Sequence, residues 1–309
     1  MTSPPTTPTA RAETEADDAG PPCVMVFNAC DPSGAGGLAA DATAIASVGA
    51  HPLPVVTGAY VRDTAEVFDH HAFDEDAVSE QARTILEDVP VQVIKVGFVG
   101  SPEAVSAIAE IASDYPDVPL IAYMPALGWW DEAVAEPYAD AFRELMLPQT
   151  TVLVGNHSTL WRWLLPDWSS ERAPTPRELA KAAADMGVPY TLVTGVPLPE
   201  QFVENVLATP QSVLASEKFE RFDAVFAGAG DTLSAALAAL VAGGADLAAA
   251  TSEALAYLDR CLDGGFRPGM GHVVPDRLFW AQPEAADDDT EDGAVEPGVF
   301  DLPAPDTKH

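Results

Sequence analysis

Short runs of apolar, largely β-branched residues alternate along this chain with Ala-rich stretches, and that alternation limits its folds more than any other feature. The runs are CVMVFNA (23–29), PLPVVTG (52–58), VQVIKVG (91–97), PLIAYM (119–124), TVLV (151–154) and YTLVTG (190–195). Between them, helices are predicted near 37–48, 75–88, 101–114, 131–147, 157–165 and 176–186. Near-continuous apolar strands separated by helices predict an α/β fold whose mainly parallel central sheet is covered on both faces. QFVENVLA and SVLASEKFE, split by a Thr-Pro-Gln turn, then predict a strand pair, and the GAGD loop and two helices follow. No stretch between 23 and 281 has linker composition, so one domain is expected there.

Charge and composition narrow the classes of function. Among 309 residues, 48 acids face 15 Lys and Arg, a formal charge of −33. Such a surface argues against nonspecific binding to nucleic acid or anionic membrane, which needs a basic face. Residues 282–309 carry nine acids and one base, and 1–22 carry four acids and one base; both are Pro-rich and predict disordered tails. No run of about 18 apolar residues appears, and the N-terminus lacks the apolar core of a signal peptide, so a cytoplasmic protein is expected. Cys23, Cys30 and Cys261 form no CxxC pair, which gives neither a disulfide framework nor a zinc site.

In a parallel sheet, ligands bind beyond the carboxyl ends of the strands, so the following loops carry the functional information. After the first strand comes DPSGAGGLAAD, in which Asp31, Ser33, Gly34, Gly36 and Gly37 precede a helix. It lacks the Lys-Ser/Thr pair of a P-loop and the spacing of a dinucleotide fingerprint. Later stands AGAGDTLSAALAAL (227–240), where a loop of small residues and one acid feeds an Ala/Leu helix. The unpartnered N–H groups and dipole of such a helix start favour an anion, and Asp231 there is either a dipole-favoured first-turn acid or a functional carboxylate. The adjacent His70 and His71 predict a surface loop rather than a shared metal, and Trp129, Trp130, Trp161 and Trp163 predict core packing or a subunit contact.

DPSGAGGLAAD, with GAHPLPVVTG, VQVIKVGFVG, LPQTTVLVGN, MGVPYTLVTG and GMGHVVPDRLFW, resembles in order the hydroxymethylpyrimidine/phosphomethylpyrimidine kinases of thiamine biosynthesis. GAGDTLSAALAAL is similar to the anion-hole motif of the wider ribokinase-like superfamily. The resemblance spans roughly 23–280 and implies a ribokinase-like three-layer α/β/α fold, ATP and Mg2+ as cofactors, a small pyrimidine as substrate and a homodimer. It implies Asp231 as the base that takes the hydroxyl proton and Gly228, Ala229 and Gly230 as the anion hole. Asp31, Gly34, Gly36, Gly37, Thr57, Arg62 and Phe98 are implied around the substrate, and Asn156 and Thr194 around the nucleotide. Lys95 matches a family lysine and is taken as structural or loosely electrostatic.

Several positions depart from the family pattern. Asp231 stands where pyrimidine kinases usually carry Cys, Thr159 where they carry a magnesium-organising Glu, and Tyr123 and Met124 where they carry an acid. Thr194 replaces a lysine, Arg62 a pyrimidine-reading Gln, and Phe98 a Met. These changes leave two other outcomes beside the kinase: a fold that binds a pyrimidine or phosphorylated ligand without catalysis, or a kinase for a related alcohol such as pyridoxal.

Overall fold

In the computed structural model, residues 20–281 are described. The tails expected to be disordered therefore fall outside the described residues, apart from 20–22, which have no regular structure. The elements in chain order are β1 (Cys23–Cys30), α1 (Gly37–Ser47), β2 (His51–Arg62), β3 (Val67–Ala72), α2 (Glu75–Leu86), β4 (Val93–Val96) and α3 (Pro102–Asp114). Next come β5 (Leu120–Met124), α4 (Glu132–Ala141), β6 (Val152–Asn156), α5 (His157–Leu164), α6 (Pro176–Ala184) and β7 (Tyr190–Pro197). The series ends with β8 (Phe202–Ala208), β9 (Val213–Glu220), α7 (Ala229–Ala242) and α8 (Leu247–Asp263).

All nine strands join one sheet in the order β3-β2-β1-β4-β5-β6-β7-β8-β9. From β2 to β7 every neighbouring pair is parallel, while β3, β8 and β9 pair antiparallel at the two edges. Because successive strand residues point to opposite faces, β1 feeds two cores. Val24 and Val26 pack with Ile45 of α1, Leu237 of α7 and Leu255 of α8, whereas Met25 and Phe27 pack with Val78, Ile108, Leu160 and Leu179 from α2, α3, α5 and α6. The result is the expected three-layer α/β/α arrangement.

Two expectations change. The segment with His70 and His71 is an edge strand, because β2 runs on to Arg62 and turns back through Asp63, whose carboxylate accepts the N–H groups of Ala65 and Glu66. The helix expected over 131–147 is α4 followed by a π turn (142–146) and a 3₁₀ turn (147–149), the latter containing Pro148, which cannot continue an α-helix.

Strand order positions the site. The chain leaves β1 through α1 to β2 on one side and returns through α2 to β4 on the other side of β1. The loops after β1 and β4 thus diverge over opposite faces and open a crevice at the switch point.

Candidate active site

The loop after β1 is organised by its own acid. One carboxylate oxygen of Asp31 accepts the N–H (2.8 Å) and hydroxyl (2.6 Å) of Ser33, and the other accepts the Gly36 N–H (2.9 Å) and Arg62 Nη1 (3.2 Å). Asp31 and Arg62, read from the sequence as substrate contacts, therefore pair with each other across the crevice rim. Gly37 has φ +59, a left-handed conformation glycine adopts without strain.

Across from this loop, α7 begins at Gly228 (φ +82) with no capping side chain, so the amides of Ala229, Gly230 and Asp231 lack the side-chain acceptor that usually closes a helix start. The β1–α1 loop comes down on this start so closely that Gly228 has no space for a Cβ beside the Ala35 carbonyl. Arg277 fastens the two together: Nε donates to Thr232 Oγ1 (2.9 Å), Nη1 to the Gly34 carbonyl (3.3 Å) and Nη2 to that of Ala35. The Tyr123 ring lies against Gly230, where a Cβ would collide with it.

Asp231 does not cap its own helix. Its Oδ1 accepts Asn28 Nδ2 (3.0 Å, β1) and Lys95 Nζ (3.2 Å, β4), while Oδ2 accepts the Gly37 N–H (3.0 Å, α1). Each donor comes from a different element, so the carboxylate direction is fixed by the tertiary fold. Oδ1 has two partners and Oδ2 one. Beyond Oδ2 lies Gly36, packed so closely that a Cβ there would sit 3.0 Å from that oxygen and 3.5 Å from Asp31 Oδ2. The Asp231 side chain keeps 16% exposure, so the crevice reaches it.

Behind Asp231, Lys95 is fully buried and also bonds Asp41 Oδ1 at 2.7 Å. Burial alone would lower the lysine pKa, but Asp41 and then Asp231 outweigh it and hold it above the ordinary lysine value. Burial pushes Asp41 up to about 6, against the pull of Lys95 and with a further push from Asp231. Lys95, Asp41, Asn28 and Arg277 were not read as site residues. The available signal was solitary charge: Asp41 is the only charged residue of GLAADATAIAS, Lys95 of VIKV and Asp231 of AGDTLSAALAALVA.

Thr57 and Phe98 sit side by side with 0% and 2% of their surface exposed. Thr57 is buried and donates to the Phe98 carbonyl (3.2 Å). The Phe98 ring stacks on Tyr60 (5.4 Å between centroids) and meets His70, Trp129 and Trp130 edge to face at 4.9, 5.6 and 5.0 Å. His70 fills a slot walled by Gly58 and Gly100, and burial lowers its pKa to about 4, which keeps the ring neutral near pH 7. Trp129 and Trp130 thus pack around the Phe98 ring.

Asn156 and Thr194 gather elsewhere, in a cleft of about 250 Å³ lined also by Asn205, Phe226, Ala229, Leu255 and Leu258. Ala229 links this cleft to the start of α7, so the two groups of expected residues meet at one helix end. Thr159 instead lines an apolar hollow with Met124, Arg162 and Trp163.

Residues 31–276 match the sequence profile of the phosphomethylpyrimidine kinase family. The hydroxymethylpyrimidine/phosphomethylpyrimidine kinase of Mycobacterium tuberculosis is 28% identical over 267 residues, covering 84% of this chain and 94% of that protein. The Escherichia coli enzyme of the same name is 26% identical, with 79% and 92% covered. Among solved structures, the ADP complex of Bacillus subtilis pyridoxal kinase superposes with a TM-score of 0.75 at 19% identity, covering 85% of this chain and all of that one. The phosphomethylpyrimidine kinase of Clostridium difficile gives 0.66 at 18%, covering 78% and 99%. Matched over most of its length, with the loop after β1 and the uncapped start of α7 joined at one crevice, the chain belongs to the phosphomethylpyrimidine kinase family.

Proposed function

We propose that the protein transfers a phosphoryl group from ATP to the hydroxymethyl group of 4-amino-5-hydroxymethyl-2-methylpyrimidine, and then to its monophosphate. One observation carries this reading: Asp231 Oδ2, singly hydrogen-bonded, belongs to a partly exposed side chain at the uncapped start of α7. The nucleotide lies in the cleft of Asn156 and Thr194, with its terminal phosphate toward the amides of Ala229, Gly230 and Asp231. The acceptor lies beside Gly34, Gly36 and Gly37, with Arg62 at the rim and the buried Thr57 and Phe98 behind. Asp231 takes the hydroxyl proton as the oxygen attacks phosphorus. Positioning and stabilisation of charge supply most of the catalysis in such a reaction.

The residues do not fit a magnesium cage. Among the described residues no group of three or more His, Cys, Asp or Glu is arranged for a metal, and Tyr123 and Thr159 stand where the family resemblance implied acids. Magnesium, in this reading, arrives with the ATP phosphates. A homodimer in the cytoplasm remains part of the proposal; among the described residues no helix is long and apolar enough to cross a membrane.

ATP consumption with the hydroxymethylpyrimidine as acceptor tests the activity. Asp231→Ala is expected to lower kcat by about 10² or more, the usual worth of a general base, with ATP affinity retained. Unchanged turnover in that variant removes Asp231 from the role. A second reading, ligand binding without catalysis, is favoured by the Tyr123 ring against Gly230. Calorimetry showing pyrimidine binding with no nucleotide binding selects it.

A further inference from the structure

Asp41, Lys95 and Asp231 form a chain of two ion pairs, 2.7 and 3.2 Å long, in which a single ammonium is shared by two carboxylates. Asp41 and Lys95 have no exposed side-chain surface. The set is fed by three elements, α1, β4 and α7, and Asn28 on β1 ties it further by donating to both carboxylates through one amide nitrogen. Asp41 lies too deep to meet a ligand, and a structural ion pair would need only one acid. With both acids ionised the trio carries one net negative charge, with two of its three side chains shielded from water, which favours uptake of one proton.

We propose that Lys95 and Asp41 are positioning residues for phosphoryl transfer: Lys95 holds Oδ1 of Asp231, and Asp41, by drawing on the same ammonium, keeps Asp231 basic enough to accept the substrate proton. The idea rests on the kinase reading above. An Asp231–Lys95 pair alone would be neutral. Adding Asp41 restores the negative charge that a proton relieves. During transfer the acceptor oxygen forms its bond to the γ-phosphorus, the bond from that phosphorus to the bridging oxygen breaks with its electron pair leaving on ADP, and the hydroxyl proton passes to Asp231 Oδ2. The trio then becomes neutral.

Other groups face it. The Tyr123 ring centroid on β5 is 5.8 Å from Lys95 Nζ, and burial, with the charges of Asp231 and Asp41, raises its pKa, so it stays neutral. Tyr60 on β2 is likewise held neutral, chiefly by burial. Arg277 is a buried cation acting on Asp231 and Asp41 from the other side. Asp31 is paired with Arg62. Neither tyrosine nor Arg277 changes charge where the trio does, so the trio governs the acid limb.

The test compares the native chain with Asp41→Asn and Lys95→Met in two readouts: acceptor kcat/KM against pH, and the carboxyl resonance of Asp231 in chain labelled with 13C-aspartate. Removing the neighbouring negative charge is expected to move the acid limb and the resonance midpoint down by about one pH unit or more, and removing the positive charge to move both up by a similar amount. A purely structural role lowers activity at every pH and moves neither. Coincident profiles, or shifts of the same sign in both variants, overturn the proposal. If Lys95→Met does not fold, Asp41→Asn, nearly identical in shape, decides: no shift or an upward one overturns it. If the native chain phosphorylates no acceptor, the functional reading fails and the resonance shifts alone decide the role of the trio.

Discussion

Gly36 shows how much rests on one absent methyl group. Its backbone is extended (φ −132), so alanine fits its conformation, yet the added Cβ would stand 3.0 Å from Asp231 Oδ2 and 3.5 Å from Asp31 Oδ2. Gly36→Ala is expected to lower acceptor kcat/KM by about 10-fold or more, since small misplacements at the reacting atoms cost that much, with ATP affinity kept. Steady-state kinetics with each substrate varied checks it, and an unaltered acceptor KM and kcat would place the hydroxyl elsewhere. Single residues were legible where chemistry is unusual for its surroundings. Asp231 is conspicuous in an Ala/Leu helix, but the partner it would find was not, because Asn28, Lys95 and Gly37 lie far away in the chain.

Helices and strands were easier to read than their ends. α6 starts with a complete capping box: Thr175 Oγ1 accepts the Glu178 N–H, and the Glu178 carboxylate accepts the Thr175 N–H at 2.8 Å. Arg172 adds a two-pronged pair to the same carboxylate (2.6 and 2.7 Å), and this bond together with the Thr175 amide lowers the Glu178 pKa to about 2. Thr175→Ala is expected to cost about 1 kcal/mol in denaturant unfolding, the ordinary worth of such a cap. Because its folded pKa is depressed, the contribution of Glu178 is full above its unfolded value and is lost as pH falls through about 2, so the cost of Glu178→Ala should shrink in acid. β3 was missed because VFDHHA carries polar residues typical of an edge strand, and its pairing depends on the turn at Asp63, which looks like any acidic loop.

At the scale of the molecule, a chain with 48 acids and 15 bases works against its own compaction. Salt shortens the reach of that repulsion, from about 30 Å at 0.01 M to about 3 Å at 1 M. The unfolding temperature is therefore expected to rise with sodium chloride over that range; a flat or falling Tm would mean that the acids are already compensated by local pairing. The fold itself required only the order of elements and the two-faced packing of β1. Apolar strands alternating with helices specify a mainly parallel sheet because the crossover helices cover both of its faces. What tertiary structure alone decided is where the charges meet. Asp41, Lys95 and Asp231 enter from three segments, and only the strand order, with β1 beside β4 and α7 above them, brings an acid, a cation and a second acid within hydrogen-bonding distance. Sequence periodicity specifies which face each residue presents to its own layer, whereas the distance between side chains of separate layers is set by how those layers pack.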